Sequence, residues 1–176
     1  MRKSFIWSAP ICVLATVLAL TAPGTATASV TRPVSQSAYT TFPGRLYGVV
    51  AVSARDVWAV GLRPNSSLIV HWNGADWSQS VAGPGYFIGV ADSSARDVWA
   101  VGGTNWFSPT QPFAEHWNGS SWTQARTPSP AGGGLFDGVA VTSPTNAWAV
   151  GDAGPGPGVP SATNPLVEHW NGTSWS

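Results

Sequence analysis

“ARDVWAVG” occupies Ala54–Gly61 and returns unchanged at Ala95–Gly102, and a looser copy, “TNAWAVG”, occupies Thr145–Gly151. Alignment on this phrase gives three units: “LYGVVAVSARDVWAVG…LIVHWNGADWSQS”, “FIGVADSSARDVWAVG…FAEHWNGSSWTQA” and “FDGVAVTSPTNAWAVG…LVEHWNGTSWS”. The anchors Asp56, Asp97 and Asn146 are 41 and then 49 residues apart. Periods in this range belong to stacked or radially arranged units that bury their apolar faces against one another.

Within each unit, short apolar runs are divided by turn residues: GVVAVS, DVWAVG, LIVHW and a last run opened by Trp77 in the first copy. Short runs rich in Val, Ile and Trp between Gly, Pro, Asn and Ser read as strands, and no segment holds helical periodicity. We call the four strands of a unit a, b, c and d. The a-to-b link is SARD twice and SPTN once, which suits a tight turn closed by Asp or Asn bonding nearby backbone. The c-to-d link is NGAD, NGSS or NGTS, where Asn and Gly suit the positive φ of a hairpin. Such tight links imply an antiparallel meander. The fold class that follows is all-β and propeller-type: three four-stranded antiparallel blades forming an incomplete ring.

Strand b ending in “VWAVG” or “VWAVGG”, followed by “EHWNGSSW”, resembles the kelch-type and tectonin-type propeller repeats of secreted bacterial proteins. The resemblance covers nearly all of the chain after its leader and implies a propeller fold.

That leader is residues 1–28. Arg2 and Lys3 precede an apolar run from about Ile11 to Leu20, and Ala26-Thr27-Ala28 supplies the small residues of a cleavage site, so a signal peptide removed after Ala28 is expected. Ser4, Ser8 and Pro10 interrupt the stretch and leave it short of a membrane span. Cys12 is the one cysteine and lies in this leader, so the mature chain is expected to have neither disulfide nor thiolate metal site. Residues 29–44 echo the outer strand of a preceding blade, since SQSAYTTFPG from Ser35 parallels SQSVAGPG from Ser78. The three repeats then span about 45–83, 84–131 and 132–176. Beyond the leader there are six arginines, no lysine and eight acidic residues, a net charge of −2. That balance speaks against nucleic acid, whose phosphates need clustered cations, and against a polybasic membrane patch.

Nine tryptophans fall in three repeat columns: Trp58, Trp99 and Trp148; Trp72, Trp117 and Trp170; Trp77, Trp122 and Trp175. Contacts that recur in every unit serve blade-to-blade packing, so all nine are read as structural. Trp106 differs. It stands with Phe107 in “GGTNWFSPTQPF”, a link unique to the second unit, and suits stacking on a sugar ring, filling a partner's pocket, or capping its loop against its own blade. In a meander the a-to-b and c-to-d links emerge on one face, and the b-to-c and d-to-a links on the other. Only the second face varies: from the strand-b Trp to the strand-c His the spacing is 13, 17 and 21 residues. A ligand site is expected there, with the PGPGVPS segment from Pro155 as a further part of it.

His71, His116 and His169 share one column beside a Trp and are read as structural, not as zinc ligands; Glu115 and Glu168 precede two of them. Asp92 replaces Ala51 and Val141, and Asp137 replaces Tyr47 and Ile88, so two unmatched carboxylates lie on the innermost strands. Such a pair suits acid–base work on a glycoside or a hard cation, or plain solvation in a central channel. No nucleophile elbow, P-loop or dinucleotide fingerprint accompanies them.

The expected function is a secreted, non-enzymatic module, without cofactor or metal, that recognises a cell-surface glycan or protein through its variable face. The candidate ligand contacts are Trp106, Phe107, Asp92 and Asp137, with no catalytic residue assigned. An alternative expectation is a truncated fragment of a secreted propeller enzyme, a glycosidase or a galactose-oxidase-like protein. Three blades leave two apolar faces open, so either a truncated product of a longer propeller or a homo-oligomer that completes the ring is expected.

Overall fold

The structure is a computed structural model that describes residues 40–80, 83–106, 109–154 and 164–176. The leader, residues 29–39, Phe107 and the PGPGVPS segment lie outside the described residues. Those residues contain eleven strands and no helix. Blade 1 is β1 (Arg45–Ser53), β2 (Asp56–Arg63), β3 (Ser66–Trp72) and β4 (Trp77–Ser80), paired antiparallel in that order. Blade 2 repeats the order with β5 (Tyr86–Ser94), β6 (Asp97–Gly103), β7 (Pro112–Trp117) and β8 (Trp122–Ala125). Blade 3 has β9 (Gly134–Ser143), β10 (Asn146–Ala153) and β11 (Asn164–Trp170). Its fourth strand is represented by the pairing of Trp175 with Trp170 and of Ser176 with His169.

The repeated phrase is continuous in apolar residues because strand b of blades 1 and 2 is buried on both faces, the condition that removes polar alternation from a strand. Val98 and Ala100 of β6 enter a core shared with Trp58, Val60 and Ile69 of blade 1. The intervening Trp99 and Val101 enter a second core with Phe136, Ala147, Ala149 and Trp175 of blade 3. The glycine that ends the phrase answers to a close approach of strand a, at the bulge where the register shifts. A Cβ on Gly61, Gly102 or Gly151 would stand 1.8–2.1 Å from the carbonyl oxygen of Arg45, Tyr86 or Leu135. The innermost strands of successive blades also touch, Gly48 against Ile88 and Gly89 against Gly138.

Each joint between blades is an indole received by two others. Trp58 of blade 1 lies 5.0 Å from Trp117 and 5.3 Å, edge-on, from Trp122 of blade 2. Trp99 of blade 2 lies 4.9 Å from Trp170 and 5.0 Å, edge-on, from Trp175 of blade 3. Eight of the nine column tryptophans are buried or half-buried, as their repetition implies. Trp148 is the correction: it is exposed, because no blade among the described residues lies against the outer face of blade 3.

The c-to-d link takes four residues, so Trp72 and Trp77 face each other directly across the hairpin. Here only the glycine is left-handed, at φ +95° for Gly74. Asn73 acts through its side chain instead, its Oδ1 accepting from the N–H groups of Ala75 and Asp76 at 2.9 Å. Asn118 and Asn171 do the same in the other blades. The expectation that Asn would share the positive φ is thus corrected, since an Asx-type bond satisfies the turn at ordinary φ. Replacing Trp58 or Trp99 with Ala should lower stability by about 3–5 kcal/mol, the usual cost of emptying a buried aromatic site, as measured by urea unfolding.

Candidate functional site

Two ends of the blades carry different chemistry. At the end of the invariant links, each blade holds a Trp, a His and an Asp or Asn in a set. His71 Nε2 donates to Asp56 Oδ1 at 2.8 Å, His116 to Asp97 at 2.7 Å and His169 to Asn146 at 2.7 Å. The acceptor oxygen places the proton on Nε2. Each imidazole also stacks on the strand-b indole of its own blade, with centroids 4.0, 4.5 and 4.3 Å apart. The histidines are therefore in separate blades with local partners, as a structural role requires. The partner itself is a correction to the sequence reading, which gave Asp56, Asp97 and Asn146 to backbone turn bonds. In blade 2 the Ser93 hydroxyl completes the set on Asp97, and in blade 3 Asn146 Nδ2 donates to Thr142 Oγ1 at 2.6 Å.

Glu115 and Glu168 are buried on the face of strand c that meets the preceding blade. Glu115 Oε1 accepts from the Gly83 N–H at 3.1 Å and so holds down the link between blades 1 and 2. Burial pushes both carboxyls above the ordinary glutamate value; for Glu115 the Gly83 bond opposes this in part.

At the opposite, variable end, a cleft of about 250 Å³ opens between blades 1 and 2. Its walls include Leu62, Arg63 and Asn65 from the β2–β3 turn, Tyr86 at the start of β5, and Asn105 and Trp106 from the link unique to blade 2. Pro64 and Asn65 make a two-residue turn, with Asn65 at φ +66° in the left-handed position that a type II turn assigns to Gly or Asn. Arg63 Nε donates to Ser66 Oγ at 2.6 Å, which fixes the one cation of this wall.

The Trp106 link is closed at its base by Thr104 N–H to Gln111 O at 2.9 Å and Gln111 N–H to Thr104 Oγ1 at 3.0 Å. Asn105 Nδ2 donates to Pro109 O at 3.2 Å. So held, Trp106 stacks on Tyr47 of blade 1, centroids 6.0 Å apart, and meets Tyr86 edge-on at 4.8 Å. The indole remains 56% exposed. Burial raises the Tyr86 hydroxyl above its ordinary pKa, against a hydrogen bond with the Thr110 side chain, and Asp137 adds to the rise.

Trp106 and Asp137 thus come to the same end of the molecule. Asp92 does not. Gly89 and Gly138 touch across the two innermost strands, and Asp92 lies three residues beyond the first while Asp137 lies one residue before the second. At about 3.3 Å per residue this separates the carboxylates by roughly 13 Å along the strands, beyond the reach of a glycosidase pair. Asp92 sits by the invariant links, where burial and then Asp56 and Asp97 raise its pKa; burial and then Asp152 raise that of Asp137. Asp92 and Asp137 are therefore two separate groups, and among the described residues no three His, Cys, Asp or Glu converge as a metal site. Tyr86, which lines the cleft, and Tyr47, which lies against Trp106, are the residues that sequence reasoning missed, for they stand at repeat positions otherwise held by Ile, Asp, Arg or Leu, and this departure was their available signal.

A solved chain described as YCF48 bound to D1 peptide matches this structure with a TM-score of 0.53 and 14% sequence identity, over 76% of this chain and 40% of that one. YCF48 is a β-propeller, and the likeness shows a propeller-like fold for these blades; this chain spans about 40% of its length. No protein-family model and no curated protein matches the sequence.

Asp97→Asn should change stability by less than about 1 kcal/mol, since blade 3 already uses Asn, whereas Asp97→Ala should cost roughly 1–3 kcal/mol by orphaning His116 and Ser93. Because the folded-state pKa values of Glu115 and Glu168 are raised, burial of the charged forms costs stability above those values. The cost disappears as pH falls below the unfolded value near 4.5. A Glu115→Gln/Glu168→Gln double variant should therefore unfold at a higher temperature than the parent at pH 7 and lose that advantage toward pH 4, as followed by circular dichroism.

Proposed function

We propose that this chain is a non-enzymatic recognition module that takes an extended segment of another protein into the cleft between blades 1 and 2. The observation that carries this reading is the exposed Trp106, backed by Tyr47 and Tyr86, in a cleft that Arg63 also lines. A rigid aromatic anchor with one fixed cation suits a peptide that presents an apolar or aromatic side chain beside a carboxylate. A cleft of this size holds a few side chains, not a folded domain. YCF48, described as bound to D1 peptide, is a propeller-like neighbour that engages a peptide, which favours protein over carbohydrate as the ligand. We retain secretion after cleavage at Ala28, and the kelch- or tectonin-like character of the blades, as part of this proposal; they rest on the leader sequence and on the VWAVG and HWNG anchors.

Panning a random peptide display library on the purified chain tests the reading, with a glycan array run in parallel. Enriched peptides should carry an aromatic or aliphatic residue near an acidic one. Trp106→Ala and Arg63→Ala should each weaken the best peptide by about tenfold or more without moving the melting temperature. Glycan binding with no peptide enrichment, or peptides indifferent to both substitutions, would overturn it.

A further inference from the structure

The two joints inside the molecule are made of the same parts, and its two outer faces are the separated halves of another. On the face of blade 3 away from blade 2, Trp148, Val150 and Val167 are 47, 49 and 57% exposed. Their column mates Trp58, Val60 and Ile69 in blade 1, and Trp99, Val101 and Ala114 in blade 2, are at most 2% exposed. On the face of blade 1 away from blade 2, Leu46 and Val49 are 47 and 68% exposed. Their column mates Phe87 and Phe136 are fully buried, and Val90 and Val139 pack into the joints.

The receiving half is already shaped. Trp72 and Trp77 stand 5.9 Å apart at 46°. The pairs that receive Trp58 and Trp99 have the same geometry: Trp117 and Trp122 at 5.9 Å and 44°, Trp170 and Trp175 at 5.9 Å and 47°. Phe42 packs on the same face over Leu68 and Val70, the place that the Gly83 link takes beside Phe113 and Glu115 in blade 2, and leaves Leu46 and Val49 open.

We propose that the partner of these faces is a second copy of this chain, docked head to tail, with Trp148 of one copy entering the Trp72–Trp77 slot of the other. The joint is heterologous: different faces of the two copies meet, as at the internal joints. The described blades of two copies number six, within the four to eight around which propellers close, so in the proposed assembly both joints form at once and growth stops at a dimer. This inference is independent of the cleft and its ligand.

Sedimentation velocity on the full chain across the micromolar range tests it. The expected result is a reversible dimer, with Trp148→Asp and Leu46→Asp each weakening self-association by about tenfold or more. Mixing the two variants should restore a dimer weaker than the parent, because one joint of the mixed pair then unites two unaltered faces. A parent that stays monomeric, species that grow beyond two copies, a dimer indifferent to both substitutions, or a mixture that gains nothing over its components would each overturn the proposal. Circular dichroism melts establish that each variant is folded; should Trp148→Asp fail to fold, Val167→Asp on the same face replaces it with the same expectations.

Discussion

An indole from strand b of one blade, held between the two hairpin indoles of the next, is the contact on which the rest of this molecule depends. It joins sheets that share no strand pairing among the described residues, and it does so twice with nearly the same distances. Each blade alone would expose apolar side chains on two faces. Stability in such an array is close to a sum of blades and joints between nearest neighbours, so loss of the strand-b Trp or of either receiver weakens the joint that the three indoles form together.

The polar groups are arranged around that contact. Each imidazole covers a strand-b indole and is aimed by an Asp or Asn across the sheet, which gives the joint a defined orientation that apolar packing alone would not supply. The variation among blades is chemically consistent. Where the acceptor is Asp97, a serine hydroxyl donates to it; where it is Asn146, a threonine hydroxyl accepts from its amide. Val70 of blade 1 packs with Phe42, whereas Glu115 of blade 2 accepts from the Gly83 backbone, so each link lies over a residue that suits it.

Most of the architecture was legible in the sequence because a repeat states its own rules. The strands, the meander, the face on which links vary and the packing role of the indoles could all be read from what recurs at each anchor. Trp148 escaped, because a column says which positions are equivalent but not whether a neighbour stands against each one. The Asp–His pairs escaped because they join residues from adjacent strands, 15 to 23 positions apart, through a register that only the folded sheet defines. Of the candidate site, Trp106 was readable as the odd aromatic in an odd link. Tyr47 and Tyr86 were passed over because each occupies a strand position whose partners in other blades look unrelated. The carboxylates Asp92 and Asp137 looked like a pair on the page, yet they sit near opposite ends of their strands.

At the invariant end, the side chain that precedes the Asp or Asn rests on the hairpin glycine of its own blade: Arg55 on Gly74, Arg96 on Gly119 and Thr145 on Gly172. Turn and hairpin are thereby clasped, and sheet geometry is set without help from the far end. Segments of other lengths and chemistries can accordingly be grafted between strands b and c while the frame stays unchanged. Natural drift or laboratory selection could use that freedom to give one framework a succession of different specificities.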